Sequence, residues 1–205
     1  GEFIYAVNGL DSAQLFDGTT WATITGVSSP AITGVDTSNL KYVWKHKSRL
    51  WFVEAGTQKA WYLPVDSSAG AAADFSLAGV FPTGAALMFG VTWSQDSGDG
   101  MDDRIVFVSE AGDIAVYAGT NPASAGDWGL VGIYKMAPPL GPDAHFRAGG
   151  DVAFATVDGL IPLSEVITKD PAALELQAVS RNIMTSWTAQ VRRHQPSTPW
   201  QMVKW

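Results

Sequence analysis

Leu50-Trp51-Phe52-Val53, then Ala55-Gly56, then Ala60-Trp61-Tyr62-Leu63: this stretch decides how the chain is read. Aromatic and β-branched side chains suit a pleated, half-buried surface, and glycine supplies the positive φ of a tight turn. Two such runs around a short glycine turn specify a β-hairpin. The arrangement recurs three more times. Phe3-Ile4-Tyr5-Ala6-Val7 leads through Asn8-Gly9 to Ala13-Gln14-Leu15-Phe16. Ile105-Val106-Phe107-Val108 leads through Ala111-Gly112 to Ile114-Ala115-Val116-Tyr117. Val152-Ala153-Phe154-Ala155 leads through Asp158-Gly159 to Leu160-Ile161-Pro162-Leu163.

The markers Ile4, Leu50, Ile105 and Val152 are 46, 55 and 47 residues apart. A period of about 40–50 residues with several strands per unit is the pattern of propeller blades. Insertions at Ser67–Ala73 and Ser94–Asp103 account for the longer middle interval. Further strands are expected at Trp21–Ile24, Tyr42–Trp44, Phe75–Leu77, Leu87–Phe89, Val91–Trp93 and Trp128–Val131. The expected fold is mainly β: a propeller-like array of about four four-stranded blades over residues 1–168, with a C-terminal α-helix. An ordinary sandwich with similar hairpins is the alternative.

From Asp170 the period changes. Asp170 suits an N-cap and Pro171 a first helical position. Ala172, Leu176, Val179, Ile183, Trp187 and Val191 step by three or four, which predicts one amphipathic helix over 169–195, ending before Pro196. Residues 196–205 read as the start of a further strand at Pro199-Trp200-Gln201-Met202-Val203, as in a fragment of something longer. Four units are also few for a closed ring.

Composition narrows the function. The 205 residues are 46% hydrophobic and 16% charged, which is globular composition. A net charge of −7 gives no basic patch of the kind that grips nucleic acid. Without cysteine there is no disulfide and no thiolate metal site. No apolar run reaches the roughly 18 residues of a membrane span.

Candidate chemistry is sparse. The acidic loop Asp96-Ser97-Gly98-Asp99-Gly100-Met101-Asp102-Asp103 could wrap a hard cation, but the EF-hand glutamate is missing, and it reads first as a solvated turn. His46, between Lys45 and Lys47, suits a surface better than a general base. His145 falls in a Pro- and Gly-rich loop, and His194 at a helix end. No Gly-x-Ser-x-Gly elbow or P-loop occurs. No catalytic residue, metal site or cofactor is assigned. Trp21, Trp61, Tyr62, Trp93, Tyr117 and Trp128 could stack sugars, although filling the interior is the simpler role. The best interface candidates are Leu176, Val179, Ile183, Trp187 and Val191, then Lys45, Lys47 and Arg49.

Several stretches form a recognisable set in order. They are Leu15–Trp21, Lys45–Glu54, Ala60–Val65, Val116–Pro122 and Asp158–Ser164. Across residues 3–190 the chain resembles the β-propeller tail hub or nozzle proteins of short-tailed bacteriophages, including the packaged-DNA-stabilising type. The resemblance implies a non-enzymatic virion protein made in the bacterial cytoplasm. It would assemble with tail or portal subunits, in a homo-oligomeric ring around passing DNA, without sequence-specific DNA binding. The alternatives are a carbohydrate-binding propeller for host attachment, resting on Trp21, Trp61 or Trp128, and a hydrolase of surface polymers.

Overall fold

The computed structural model describes residues 3–94, 103–195 and 198–203. The chain is mainly β, in successive antiparallel sheets. The first sheet holds β1 (Ile4–Ala6), β2 (Gln14–Phe16) and β3 (Trp21–Thr23). Next come β4 (Ile32–Thr33), β5 (Leu40–His46), β6 (Arg49–Glu54), β7 (Lys59–Tyr62), β8 (Gly70–Ala71) and β9 (Ala73–Ser76). Of these, β5-β6-β7-β9 form the second sheet, and β4 and β8 make a small parallel pair. The third sheet is β10 (Leu87–Trp93), β11 (Arg104–Ser109), β12 (Asp113–Ala118) and β13 (Gly129–Lys135). The fourth is β14 (His145–Ala148), β15 (Asp151–Thr156) and β16 (Gly159–Pro162).

All four expected hairpins are present, as β1-β2, β6-β7, β11-β12 and β15-β16. The expected blade of four strands describes only the middle two sheets, since the outer two have three each. None of the sheets closes on itself.

Side-chain alternation explains how the sheets stack. Successive residues of a strand face opposite sides, so a strand buried on both faces serves two neighbours. In β6, Leu50 and Phe52 pack toward the first sheet with Leu15, while Trp51 and Val53 pack toward the third with Phe107. In β11, Ile105 and Phe107 face the second sheet, while Val106 and Val108 face the fourth with Phe154 and Ile161. Each sheet therefore rests on the next in chain order. The interface between the second and third sheets is aromatic. Trp51 stacks on Trp44 and Trp128, each with centroids at 5.8 Å, and meets Phe107 edge-on at 5.7 Å. Gly90 permits this closeness, because a β-carbon there would run into the Trp44 ring.

The predicted single helix over 169–195 is corrected. Helix begins earlier, at α1 (Leu163–Thr168), whose Leu163 and Val166 are buried. A 3₁₀ turn at Pro171–Ala173 follows, capped by the Asp170 carboxylate as expected. It leads into α2 (Leu174–Gln177), and after a break a second 3₁₀ turn at Arg181–Ile183 opens α3 (Met184–His194). The fourth sheet causes the break. Val179 donates its N–H to the Leu160 carbonyl, and Leu160 N–H donates to Ser180 Oγ, so β16 takes up backbone and side chain that a continuous helix would use. Gly159 fits closely beneath, since a β-carbon there would lie 2.5 Å from Ser180 Oγ. The strand expected at Pro199 is not formed among the described residues. The segment is instead tied by two hydrogen bonds, Trp200 N–H to Leu140 O and Met202 N–H to Asp143 O.

Candidate functional site

The break splits the predicted apolar stripe into two parts with different fates. Trp187 and Val191 turn inward. The Trp187 indole donates to the Thr156 carbonyl at 2.9 Å and its ring lies 5.2 Å from Trp200, and Val191 is 4% exposed. Leu176, Val179 and Ile183 remain 65%, 68% and 57% exposed. Leu174 and Ala178, which the stripe omitted, are the buried anchors of this segment. Three of the five helical interface candidates are thus open on the outside of the helical end.

The second candidate patch is a hairpin. Lys47 and Ser48 both take positive φ, 44° and 57°, which makes the tight turn between β5 and β6. Lys47 Nζ donates to the Gly119 carbonyl at 3.0 Å, and Arg49 donates to Leu63 O at 3.2 Å while lying over the Tyr62 ring. These two cations hold the hairpin to neighbouring strands, which leaves Lys45 as the exposed member. A groove of about 500 Å³ runs beside it, lined by Phe3, Tyr5, Trp44, Lys45, Arg49 and Asp66 among others.

The histidines differ from expectation. His46 is not at the surface but 3% exposed, with Nδ1 3.1 Å from Thr92 Oγ1. Alternation turns it inward between Lys45 and Lys47. Burial, followed by the Lys47 charge, pushes its pKa down to about 4 against a smaller opposing pull from Asp103. His145 lies on β14 rather than in a loop. Its ring stacks on Phe89 at 4.4 Å, Nε2 is 3.3 Å from the Tyr42 hydroxyl, and burial lowers its pKa. Tyr42, Phe89 and His145 bring the first strands of three successive sheets to one point.

Sequence reading missed one polar cluster. Asp113 is 1% exposed and accepts hydrogen bonds from Lys135 Nζ at 2.8 Å, from Ser109 Oγ at 3.2 Å and from the Thr83 hydroxyl. Burial opposes its ionisation, but the Lys135 and Thr83 hydrogen bonds and the Lys135 charge outweigh that and hold the carboxyl below its usual range. Ser109 and Asp113 flank a turn and carry no catalytic spacing, so only the fold reveals them. The Lys135→Met variant leaves this carboxylate without its cation. Breaking a fully buried pair costs about 3–5 kcal/mol, and with the lysine 41% exposed the expected loss is about 2 kcal/mol in urea unfolding. A loss under about 0.5 kcal/mol would show that the pair does not matter for stability.

Of the tryptophans and tyrosines considered as sugar platforms, Tyr62, Trp93, Tyr117 and Trp128 are buried. Trp61 is half-buried, its indole donating to Glu54. Trp21 alone is open, at 56% exposure, with Phe16 5.2 Å away. The acidic loop considered as a cation site lies outside the described residues except for Asp103, which is buried. Among the described residues no group of three or more His, Asp or Glu side chains is placed to hold a metal ion. No helix among them is long and apolar enough to cross a membrane. No known protein-family model matches the chain, and no curated protein matches it.

Proposed function

We propose that this chain is a non-enzymatic structural subunit of a phage or prophage tail, of the hub or nozzle type, built as a propeller-like array and acting by assembly. One observation carries the reading: sheets of up-and-down strands stack in chain order, and the first strands of three of them converge at Tyr42, Phe89 and His145. Radial stacking of meander sheets around their first strands is how propeller blades are arranged. The open Leu176, Val179 and Ile183 give such an array an apolar contact surface, and the sequence resemblance supplies the tail context. The carbohydrate-binding alternative is weaker, because of its three tryptophans only Trp21 is open to a ligand.

The test is quantitative mass spectrometry of purified particles from the phage or induced prophage that encodes the chain. Peptides of this chain in several copies per particle are expected. Their absence from particles, with the chain present in the lysate, would overturn the proposal.

A further inference from the structure

His46 and Asp103 meet where the second and third sheets press together. Alternation decides their direction. In β5, His46 shares a face with Tyr42 and Trp44, which pack into the interface with the third sheet. Asp103 stands immediately before β11, in step with Ile105 and Phe107, which enter the same interface from the other side. His46 is 3% exposed and Asp103 4% exposed. Burial and the Lys47 charge oppose protonation of His46 while the Asp103 charge favours it, which places the two groups near each other.

The hydrogen on the His46 ring is located by its neighbours. Thr92 has one hydroxyl hydrogen, which it donates to the Lys45 carbonyl at 3.0 Å. Thr92 Oγ1, 3.1 Å from His46 Nδ1, is therefore the acceptor in that contact, and Nδ1 carries the hydrogen. In the neutral ring this leaves Nε2 as a bare lone pair. Nε2 is buried without a hydrogen-bond partner, and so is Asp103 Oδ1. A lone pair and a carboxylate oxygen are both acceptors, so neither satisfies the other. The indole N–H groups of Trp44, Trp51 and Trp128, in the same interface, are also without partners and so are bonded to neither.

The pair has the chemistry of a metal site. A neutral imidazole nitrogen and a carboxylate oxygen are ligands that zinc-class ions take. A ligating histidine characteristically donates its other ring N–H to an oxygen that fixes the ring, which is the role of Thr92 here. We infer that His46 Nε2 and Asp103 Oδ1 bind a divalent transition-metal ion of the Zn²⁺ class, which pins β5 to the start of β11 and so joins the second sheet to the third. Two protein ligands leave the other coordination positions to water, so binding is weaker than at sites with three or four protein ligands. The other carboxylates of the acidic loop lie outside the described residues and take no part. The inference stands apart from the proposed tail role.

Isothermal titration calorimetry of the full chain, stripped with EDTA and held at about pH 7.5, tests it with ZnCl₂ and CaCl₂ as the probes. One equivalent of Zn²⁺ should bind with a dissociation constant of about 1–100 µM, and Ca²⁺ at least about tenfold more weakly, because imidazole suits Zn²⁺ and not Ca²⁺. His46→Gln, Asp103→Asn and Thr92→Val should each weaken Zn²⁺ binding by about tenfold or more. Circular dichroism verifies folding of each variant. The wild type alone supplies a second measurement: in histidine ¹H–¹⁵N spectra, Zn²⁺ should move the His46 Nε2 resonance and leave His145 and His194 in place. Absence of Zn²⁺ binding at about 1 mM would overturn the inference and leave both acceptors to buried water. So would Ca²⁺ binding as tight as that of Zn²⁺, the mark of a carboxylate site without the imidazole. Zn²⁺ that moves His194 or His145 in place of His46, or that binds all three variants as it does the wild type, would equally contradict it.

Discussion

Replacing Trp51 by alanine lowers the unfolding free energy by about 4 kcal/mol, the range for removing a large aromatic ring from a core that cannot collapse around the space. Trp51 is fully buried and sits where the second and third sheets meet. Besides Trp44, Trp128 and Phe107, its ring contacts Tyr62 at 4.9 Å and Phe75 at 6.2 Å. Those neighbours sit on strands of two sheets, apart from Trp128 just before β13, so relaxation toward the void would require the sheets to slide. The loss is about a third to most of the stability of an ordinary domain. Urea unfolding followed by tryptophan fluorescence measures it, with far-ultraviolet dichroism as a second probe. A loss below about 1 kcal/mol would show that the sheets are not held together through this aromatic stack.

Acidification is the second large effect. From neutral pH to about pH 4 the chain is expected to lose about 3 kcal/mol of stability through His46 alone. The sign follows from which state binds the proton. In the unfolded chain a histidine takes up its proton near 6.5, whereas the buried His46 does so only at about 4. Between those values the unfolded state carries more protons, so falling pH favours unfolding. His145, also lowered by burial, acts in the same direction. Asp113 acts in a different window. Its folded pKa lies below its unfolded one, so its contribution is present above the usual carboxylate range and disappears as pH falls through the lower value. Urea midpoints at steps between neutral pH and about pH 5 therefore report mainly on the histidines. The His46→Asn variant should show a shallower slope than the wild type over that interval. Equal slopes, or a wild type whose stability rises on acidification, would contradict the burial of His46.

Much of the fold is legible in the sequence because hairpins are local. Leu50–Val53 and Ala60–Leu63 reveal their pairing by composition, alternation and a glycine-containing turn, and so do the other three pairs. The inward and outward faces of β6 and β11 follow from the same alternation. The C-terminal part is less legible. The apolar period from Ala172 to Val191 is helical, yet the chain breaks at Ala178–Ser180 because Leu160, roughly twenty residues away in sequence, captures Val179 and Ser180. A long-range hydrogen bond leaves no mark on a local period. His46 was misplaced for a related reason. Flanking lysines suggest a surface, but in a strand the neighbours of an inward residue point outward. Of the candidate interface residues, the pattern could not tell Trp187 and Val191, which serve the interior, from Leu176, Val179 and Ile183, which do not.

The proposed role, a structural subunit of a phage tail, is tested most directly by abolishing synthesis of the chain. On the proposed role, a nonsense codon at an early position of the coding sequence should give phage particles that package DNA but fail to keep it. Infectious titre should drop by at least about a thousandfold and return when the intact chain is supplied in trans. Particles of normal titre, with full heads and a complete tail, would contradict the account.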